Sequence, residues 1–425
     1  MKANGGHQAR TRPGLSLGSG SRMFEALAYP KFRRYWSSNL AAVSGQQMMW
    51  LAQGWLIYDL TDSAVYLGYV GLATAGPAIL LNLVGGVVAD RLDQRRVIFS
   101  TQVITAASVL ILATLTALDL VRVWHLLAVA FVSGSMQAFN NPARQAILRQ
   151  LVDRKDLTKA VQLNSIVWQA TRIVAPAAGG LIYGFAGPAA TFYLCGAAFF
   201  VLGAVVAGID IEQPLRERRD SVFGDLNEGI SFIRTNFVFA FLIGMSFFNS
   251  FFGFSSQQLL PVFARDILEV GPEGLGVLFS ASGVGSMFGV FALGYFGEAE
   301  RKGALVIGGA TAFGSFIVLF ALSTFYPLSL AAIFCMGAAG TIYMITVQVV
   351  LQVRVPDALR GRVMGIYGIT HNIGPLGSLQ AGFLADEFGA PAAMVVGGAA
   401  IIAFAVGVAA SRREVRALQA APSPA

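Results

Sequence analysis

VIFSTQVITAASVLILATLTAL, residues 97–118, runs 22 residues without an Asp, Glu, Lys or Arg and is bracketed by Arg95-Arg96 and Asp119. A helix that crosses a bilayer needs roughly 20 apolar residues, because the hydrocarbon core is about 30 Å thick and each residue rises about 1.5 Å. One such stretch fits a buried helix of a soluble protein. Here the pattern recurs along the chain, with spans expected at 39–58, 65–89, 97–118, 124–142, 161–186, 189–208, 238–260, 274–296, 303–323, 326–350, 363–384 and 391–410. Only 12% of the residues are charged, against about 25% in an ordinary soluble chain. These features predict an all-α membrane protein of twelve transmembrane helices.

The basic residues set the orientation. With the N-terminus in the cytoplasm, 27 of the 30 Lys and Arg residues fall in cytoplasmic segments, Arg122 and Arg265 fall outside, and Arg172 falls within a span. Cytoplasmic loops of membrane proteins carry that excess. The net charge of +7 therefore faces anionic lipid headgroups, and a nucleic-acid partner is not expected. The reading places a multi-pass protein in a bacterial cytoplasmic (inner) membrane with both termini inside.

Residues 1–22 are rich in Gly, Ser and Arg without an apolar core, so they read as a disordered tail and not as a secretory leader. Met23 to Trp36 mixes aromatic and basic residues and is expected at the headgroup level. The longest connection, 209–237, carries Phe223, Leu226, Ile230 and Ile233 at helical spacing, the pattern of an interfacial helix. It separates an N-terminal six-helix bundle, 23–208, from a C-terminal one, 238–411, followed by a tail, 412–425. The halves resemble each other: Asp156-Leu157-Thr158-Lys159-Ala160-Val161 matches Ala358-Leu359-Arg360-Gly361-Arg362-Val363, and Thr171-Arg172-Ile173-Val174-Ala175-Pro176 matches Thr370-His371-Asn372-Ile373-Gly374-Pro375. Two such bundles imply a pseudo-two-fold axis along the membrane normal, with a pathway between them.

After span two the chain reads Gly86-Val87-Val88-Ala89-Asp90-Arg91-Leu92-Asp93-Gln94-Arg95-Arg96. Gly86 would let a neighbouring helix approach closely. Asp90 can face another helix's N-terminal dipole or an Arg. Gly86, Asp90, Arg91 and Arg95 thus read as a cytoplasmic latch made in one conformer and broken in the other. The segment resembles the loop signature of the major facilitator superfamily, departing from it at Asp93 and Gln94. Span five carries Ala175-Pro176-Ala177-Ala178-Gly179-Gly180, similar to the Gly-Pro-x-x-Gly-Gly signature of that superfamily's antiporter branch. Pro176 bends the helix, while Gly179 and Gly180 offer a flat packing surface, for which Gly285 and Gly289 of span eight are a candidate partner. Three further stretches, 58–64, 141–146 and 160–165, resemble enterobactin and macrolide exporters.

Arg172 is the only formal charge inside a span. An Arg near mid-helix costs roughly 2.5–3.5 kcal/mol on insertion scales and should face an interior cavity. Its pseudo-symmetric mate is His371, a residue type that can gain or lose a proton near neutral pH. Arg172 reads as an anion or proton-coupling contact or as a tie to backbone carbonyls. His371 reads as a protonation switch or as a neutral hydrogen-bonding residue. No span holds a central Asp or Glu; Asp59, at the outer end of span one, is expected to cap span two. Gln46, Gln53, Gln137, Asn164, Trp168, Asn249, Gln257, Tyr343 and Gln348 are the candidate substrate-cavity residues, joined by the Phe-rich run 247–254.

No phosphate-binding Gly-Lys loop, catalytic pair, cofactor motif or metal-ligand cluster appears, and Cys195 and Cys335 lie in apolar segments. The resemblance implies a monomeric secondary transporter, not an enzyme. It would export a small amphipathic molecule (drug, siderophore or metabolite), with protons as the exchanged ion. The alternatives are a proton-coupled importer on the same fold and, remotely, a non-transporting membrane receptor or scaffold.

Overall fold

The computed structural model describes residues 24–210, 233, 236–296, 302–371 and 373–416; the side chains of 82–84, 87, 89, 90, 296, 357, 358, 371 and 413 lie outside that description. Among the described residues there is no strand. The first four long helices are α1 (Pro30–Thr61), α2 (Ala64–Arg91), α3 (Gln94–Ala117) and α4 (Val123–Leu151). The helical run Leu157–Ala207 is broken at Gly187, whose φ of 82° is open to glycine and is followed by Pro188. It therefore forms two rods, α5 (157–186) and α6 (188–207). Then come α7 (Phe237–Ile267), α8 (Gly271–Phe296), α9 (Lys302–Leu322) and α10 (Tyr326–Arg354). The eleventh rod, α11, has two halves, Asp357–His371 and Gly374–Phe388, and α12 is Ala390–Ser411.

The described helices thus form twelve rods, consistent with the expected count. Eight continuous stretches are long and apolar enough to cross a membrane by length and composition alone. One of the eight contains both α5 and α6. Three rods, α1, α4 and α11, fall outside the eight, and the first two carry several Gln and Asn residues.

Helix packing repeats at an offset of six. The pairs α1–α5, α2–α4, α3–α4 and α3–α6 recur as α7–α11, α8–α10, α9–α10 and α9–α12. Lipid supplies no hydrophobic drive between helices, so close van der Waals packing through small residues must hold them. At Gly289, an added Cβ would sit 2.6 Å from the Ala338 carbonyl oxygen, so α8 and α10 touch backbone to backbone. Gly85 and Gly134 do the same for α2 and α4.

Several expectations change. Met23 lies outside the described residues, and Phe24 to Trp36 is not a separate surface segment. Phe24–Ala28 forms a short 3-10 turn, and Pro30 already opens α1. Phe32 and Tyr35 are fully buried, and the Trp36 indole donates to the Leu163 carbonyl at 3.1 Å. The basic residues there end the apolar run without ending the helix. Asp59 does not cap α2; it lies in the last turn of α1, 3.9 Å from Arg265. Phe223, Leu226 and Ile230 of the expected interfacial helix lie outside the described residues, while Ile233 is buried.

Candidate functional site

Between the two sets of helices lies a cavity of two lobes, about 500 and 400 Å³. Trp50 of α1, Phe254 and Gln257 of α7 and Phe279 of α8 line both lobes. The first lobe is walled by α1, α5, α7, α8, α9 and α10 and contains Arg172 and Gln169. The second is walled by α1, α2, α4, α7, α8 and α11, and among the described residues its polar groups, Gln53, Gln137 and Asn141 included, are neutral. A π-helical turn, Asn249–Gly253, presents Asn249, Ser250 and Gly253 to the first lobe. Such single turns shift the side-chain register of an otherwise regular helix and are frequent at functional sites.

One end of the cavity is closed by α2 against α11 and by α5 against α8. A Cβ on Gly68 of α2 would lie 2.6 Å from the Leu379 Cα of α11, and one on Gly382 would lie 2.8 Å from the Ala64 carbonyl oxygen. A Cβ on Gly276 of α8 would lie 3.1 Å from Ala177 Cα, and one on Gly283 would lie 2.9 Å from the Arg172 carbonyl oxygen. Polar groups seal the rim. The Asp386 carboxylate, at the C-terminal end of α11, accepts from the Ala64 backbone N–H at 2.7 Å and from the Ser63 hydroxyl at 2.5 Å, so it caps α2 from the other half of the chain. Arg265 pairs with Asp62 at 2.7 Å and donates to the Tyr58 carbonyl at 3.2 Å, and the Tyr58 hydroxyl donates to Asp266. Exposed ion pairs of this kind contribute about 0–1 kcal/mol each. The glycine contacts and the Asp386 cap therefore dominate the closure.

The opposite end differs. The half of α11 that packs on α2 is Gly374–Phe388, whereas Asp357–His371 makes no comparable contact with it. Among the described residues, Gly86, Gly294, Gly361 and Gly365 meet no neighbouring atom within 4 Å of an added Cβ. The two sets of helices are splayed here.

Comparison with known proteins agrees with this architecture. The family model described as "Transmembrane secretion effector" matches residues 21–424. The chain belongs to that family, within the major facilitator superfamily. Its relatives include macrolide efflux protein A of Streptococcus pyogenes, 24% identical with 88% of this chain and 94% of that protein covered. The staphyloferrin A transporter of Staphylococcus aureus is also 24% identical, with 84% and 89% covered. The enterobactin exporter of Shigella boydii is 22% identical, with 80% and 81% covered. Among solved structures, a bacterial homologue of the human lysosomal transporter Spinster superposes with a TM-score of 0.73 at 14% identity, covering 95% of this chain and 99% of that one. The nucleoside transporter NupG does so at 0.69 and 14%, covering 89% and 98%. The protein is thus a multi-pass membrane transporter of the major facilitator fold, and not an enzyme.

Within this major facilitator transporter, Gln53, Gln137, Trp168, Asn249 and Gln257 line the lobes, as does Arg172. Gln46 lies in a side chamber of about 20 Å³, where Gln137 donates to it at 3.4 Å. Three candidates sit elsewhere. Asn164 accepts from Asn39 at 2.9 Å and ties α5 to α1. Tyr343 is fully buried against Phe313, and Gln348 is exposed away from both lobes. Of the Phe-rich run, Phe254 faces the cavity while Phe248 stacks on Phe404 of α12. Gln47, Trp50, Gln169 and Phe279 were not singled out in the sequence; a Gln or Trp facing the cavity reads the same as one facing another helix until the rotation of the helix is known.

The motif residues divide. Pro176 lines the first lobe, and Gly180 packs on α8, where its partners are Pro272 and Gly276 and not the expected Gly285 and Gly289, which pack on α10. Gly179 packs on Met48 of α1. In the C-terminal turns of α2, Gly86 is open among the described residues and Arg91 is exposed. The side chains of Asp90 and His371 lie outside the described residues. Arg95 is held within its own half by Asp93 at 3.1 Å and by the Ile209 carbonyl at 3.1 Å. Asp93, which departs from the family pattern, caps α3 by accepting from the Arg95 backbone N–H at 2.9 Å. Desolvation pushes its carboxyl up, but the Arg95 hydrogen bonds and the charges of Arg95 and Arg96 outweigh that and hold it below the usual carboxylate range.

Proposed function

We propose that this transporter exports small amphipathic molecules from the bacterial cytoplasm across the inner membrane by alternating access, in exchange for protons. The observation that carries the reading is the two-lobed cavity, open at one end and closed at the other. The open end bears the basic loops, which the charge bias assigns to the cytoplasm. The structure then corresponds to the conformer that loads substrate from inside. The antiporter-like Pro176 motif and relatives named for macrolide efflux and enterobactin export support outward transport.

The gating follows from antiparallel helices. Because α2 and α11 run in opposite directions, the C-terminal end of each lies near the N-terminal end of the other. Asp386 caps α2 at the outer end in this conformer. Asp90, at the C-terminal end of α2, would meet the N-terminal end of α11 when the cytoplasmic end closes. The two carboxylates act as alternating latches, each using a helix N-terminus as its partner. Arg172 and His371 supply the coupling groups in the interior. The protein acts as a monomer with both termini in the cytoplasm.

A growth-inhibition panel of lipophilic drugs and siderophores, in a host stripped of its own efflux pumps, tests the reading. Expression should raise tolerance to at least one compound. Sensitisation to the compounds it affects would point to import on the same fold.

A further inference from the structure

The Arg172 guanidinium has no hydrogen-bond or ion-pair partner among the described residues, although it belongs to a helix pinned tightly by its neighbours. Its peptide carbonyl abuts Gly283 of α8, so the backbone cannot swing aside, and Arg172 lines the first lobe together with Gln47, Gln169, Asn249 and Gln257. Neither large lobe is lined by an Asp, a Glu or a second cation among the described residues. Arg144, another cation near the interior, lines the side chamber, which has room for about one water and not for an organic molecule.

A permanent charge in a membrane interior is tolerated where it is hydrated or paired. Water serves while the cavity is open. When the halves close over the cavity, that water is reduced, and no described residue lining either lobe offers a counter-charge to replace it. A planar guanidinium with several donors matches a carboxylate in bidentate fashion. The adjoining surfaces are aromatic: Trp50, Trp168, Phe254 and Phe279. Beyond them the second lobe is large, neutral and mainly apolar.

From this geometry we infer that the transported molecule is an amphipathic organic acid whose carboxylate pairs with Arg172 in the first lobe and whose apolar body lies past Trp50 and Phe254 into the second. The inference deepens the transport reading and rests on it only in taking the cavity as the substrate site. It also disfavours cationic amphiphiles, which would bring a like charge to Arg172.

The test is equilibrium binding to the purified full chain in lipid nanodiscs, with radiolabelled 2-naphthoate competed by 2-naphthamide and by 2-naphthylmethylammonium. The wild type should bind the acid at least tenfold more tightly than the amide and bind the ammonium weakest. Arg172→Gln should lose the preference while still binding the amide, which shows that the cavity is intact. Arg172→Lys should keep part of it, because the charge remains while the planar fork is lost. Equal binding of the three probes, an unchanged preference in Arg172→Gln, or no saturable naphthoate binding in the millimolar range overturns the inference. Binding at equilibrium is blind to direction, so a protein that imports organic acids would pass this test and fail the export test.

Discussion

Replacing Asp386 by alanine removes both acceptor bonds that join the end of α11 to the start of α2 at the closed end. Loss of an N-cap acceptor costs about 0.5–2 kcal/mol, and loss of a negative charge beside an exposed helix N-terminus costs a further 0.3–1 kcal/mol or so. Asp386 is exposed to solvent, so the lower part of each range applies and the sum is about 1–2 kcal/mol. The bonds join α2 to α11 in the closed-end conformer, so their loss weakens that conformer and shifts its balance with the opposite one roughly 5- to 30-fold. The glycine contacts between α2 and α11 remain, so the closed end should still form. Asp386→Asn keeps an acceptor and loses the charge, so its shift should be smaller. Spin labels on cysteines introduced at the exposed positions Leu60 and Phe388, in a chain whose Cys195 and Cys335 have been replaced, report the opening by pulsed electron resonance. The long-distance population should grow several-fold in Asp386→Ala and less in Asp386→Asn. Distance distributions identical to the unsubstituted chain, or shifted to shorter values, refute the reasoning.

Four further outcomes are expected. Gly68→Ala places a Cβ against the Leu379 backbone, so transport should fall at least tenfold while the protein stays folded; paired transport and melting measurements check this, and undiminished transport contradicts it. Asp90→Asn should slow turnover without lowering the melting temperature, and unchanged turnover would remove the cytoplasmic latch. His371→Gln should alter the pH profile of transport, whereas an identical profile would return the residue to a structural role. Asp93→Asn should destabilise the protein in a pH-dependent way. The carboxyl is held below its ordinary value, so its stabilisation is full above about pH 4 and is lost as pH falls through the depressed value. The melting gap between the two proteins should hold between neutral pH and pH 5 and narrow on further acidification, and a gap that persists in strong acid contradicts the assignment.

The rods were legible in the sequence because membrane thickness fixes their length, and each expected span overlaps an observed helix. Their ends were less so. Lys31, Arg33 and Arg34 interrupt the apolar run, yet α1 already begins at Pro30. The helices that carry polar residues at the cavity are the harder ones. With Gln47 and Gln53 on α1 and Gln137 and Asn141 on α4, these rods fall outside the stretches apolar enough to span by composition alone.

Within the site, Arg172 was legible because a lone intramembrane charge is costly, and Pro176 because it breaks a local rule. Tyr343 and Gln348 misled because polarity alone does not give helix rotation. The π-turn that aims Asn249 inward leaves no distinct mark among the surrounding phenylalanines. The cap on α2 was out of reach for a different reason: the expectation placed Asp59 there by proximity in sequence, while the carboxylate that bonds Ala64 comes from Asp386, more than 300 residues along the chain.

Substrate movement into everted membrane vesicles, prepared from a host without its own pumps and carrying an imposed inside-acid pH gradient, tests outward, proton-exchanging transport most directly. An exporter that loads at the cytoplasmic end predicts uptake of an amphipathic organic acid into these vesicles, lost when the gradient is collapsed and reduced in Arg172→Gln. No uptake by everted vesicles, together with accumulation of the same compound in intact cells, would contradict it.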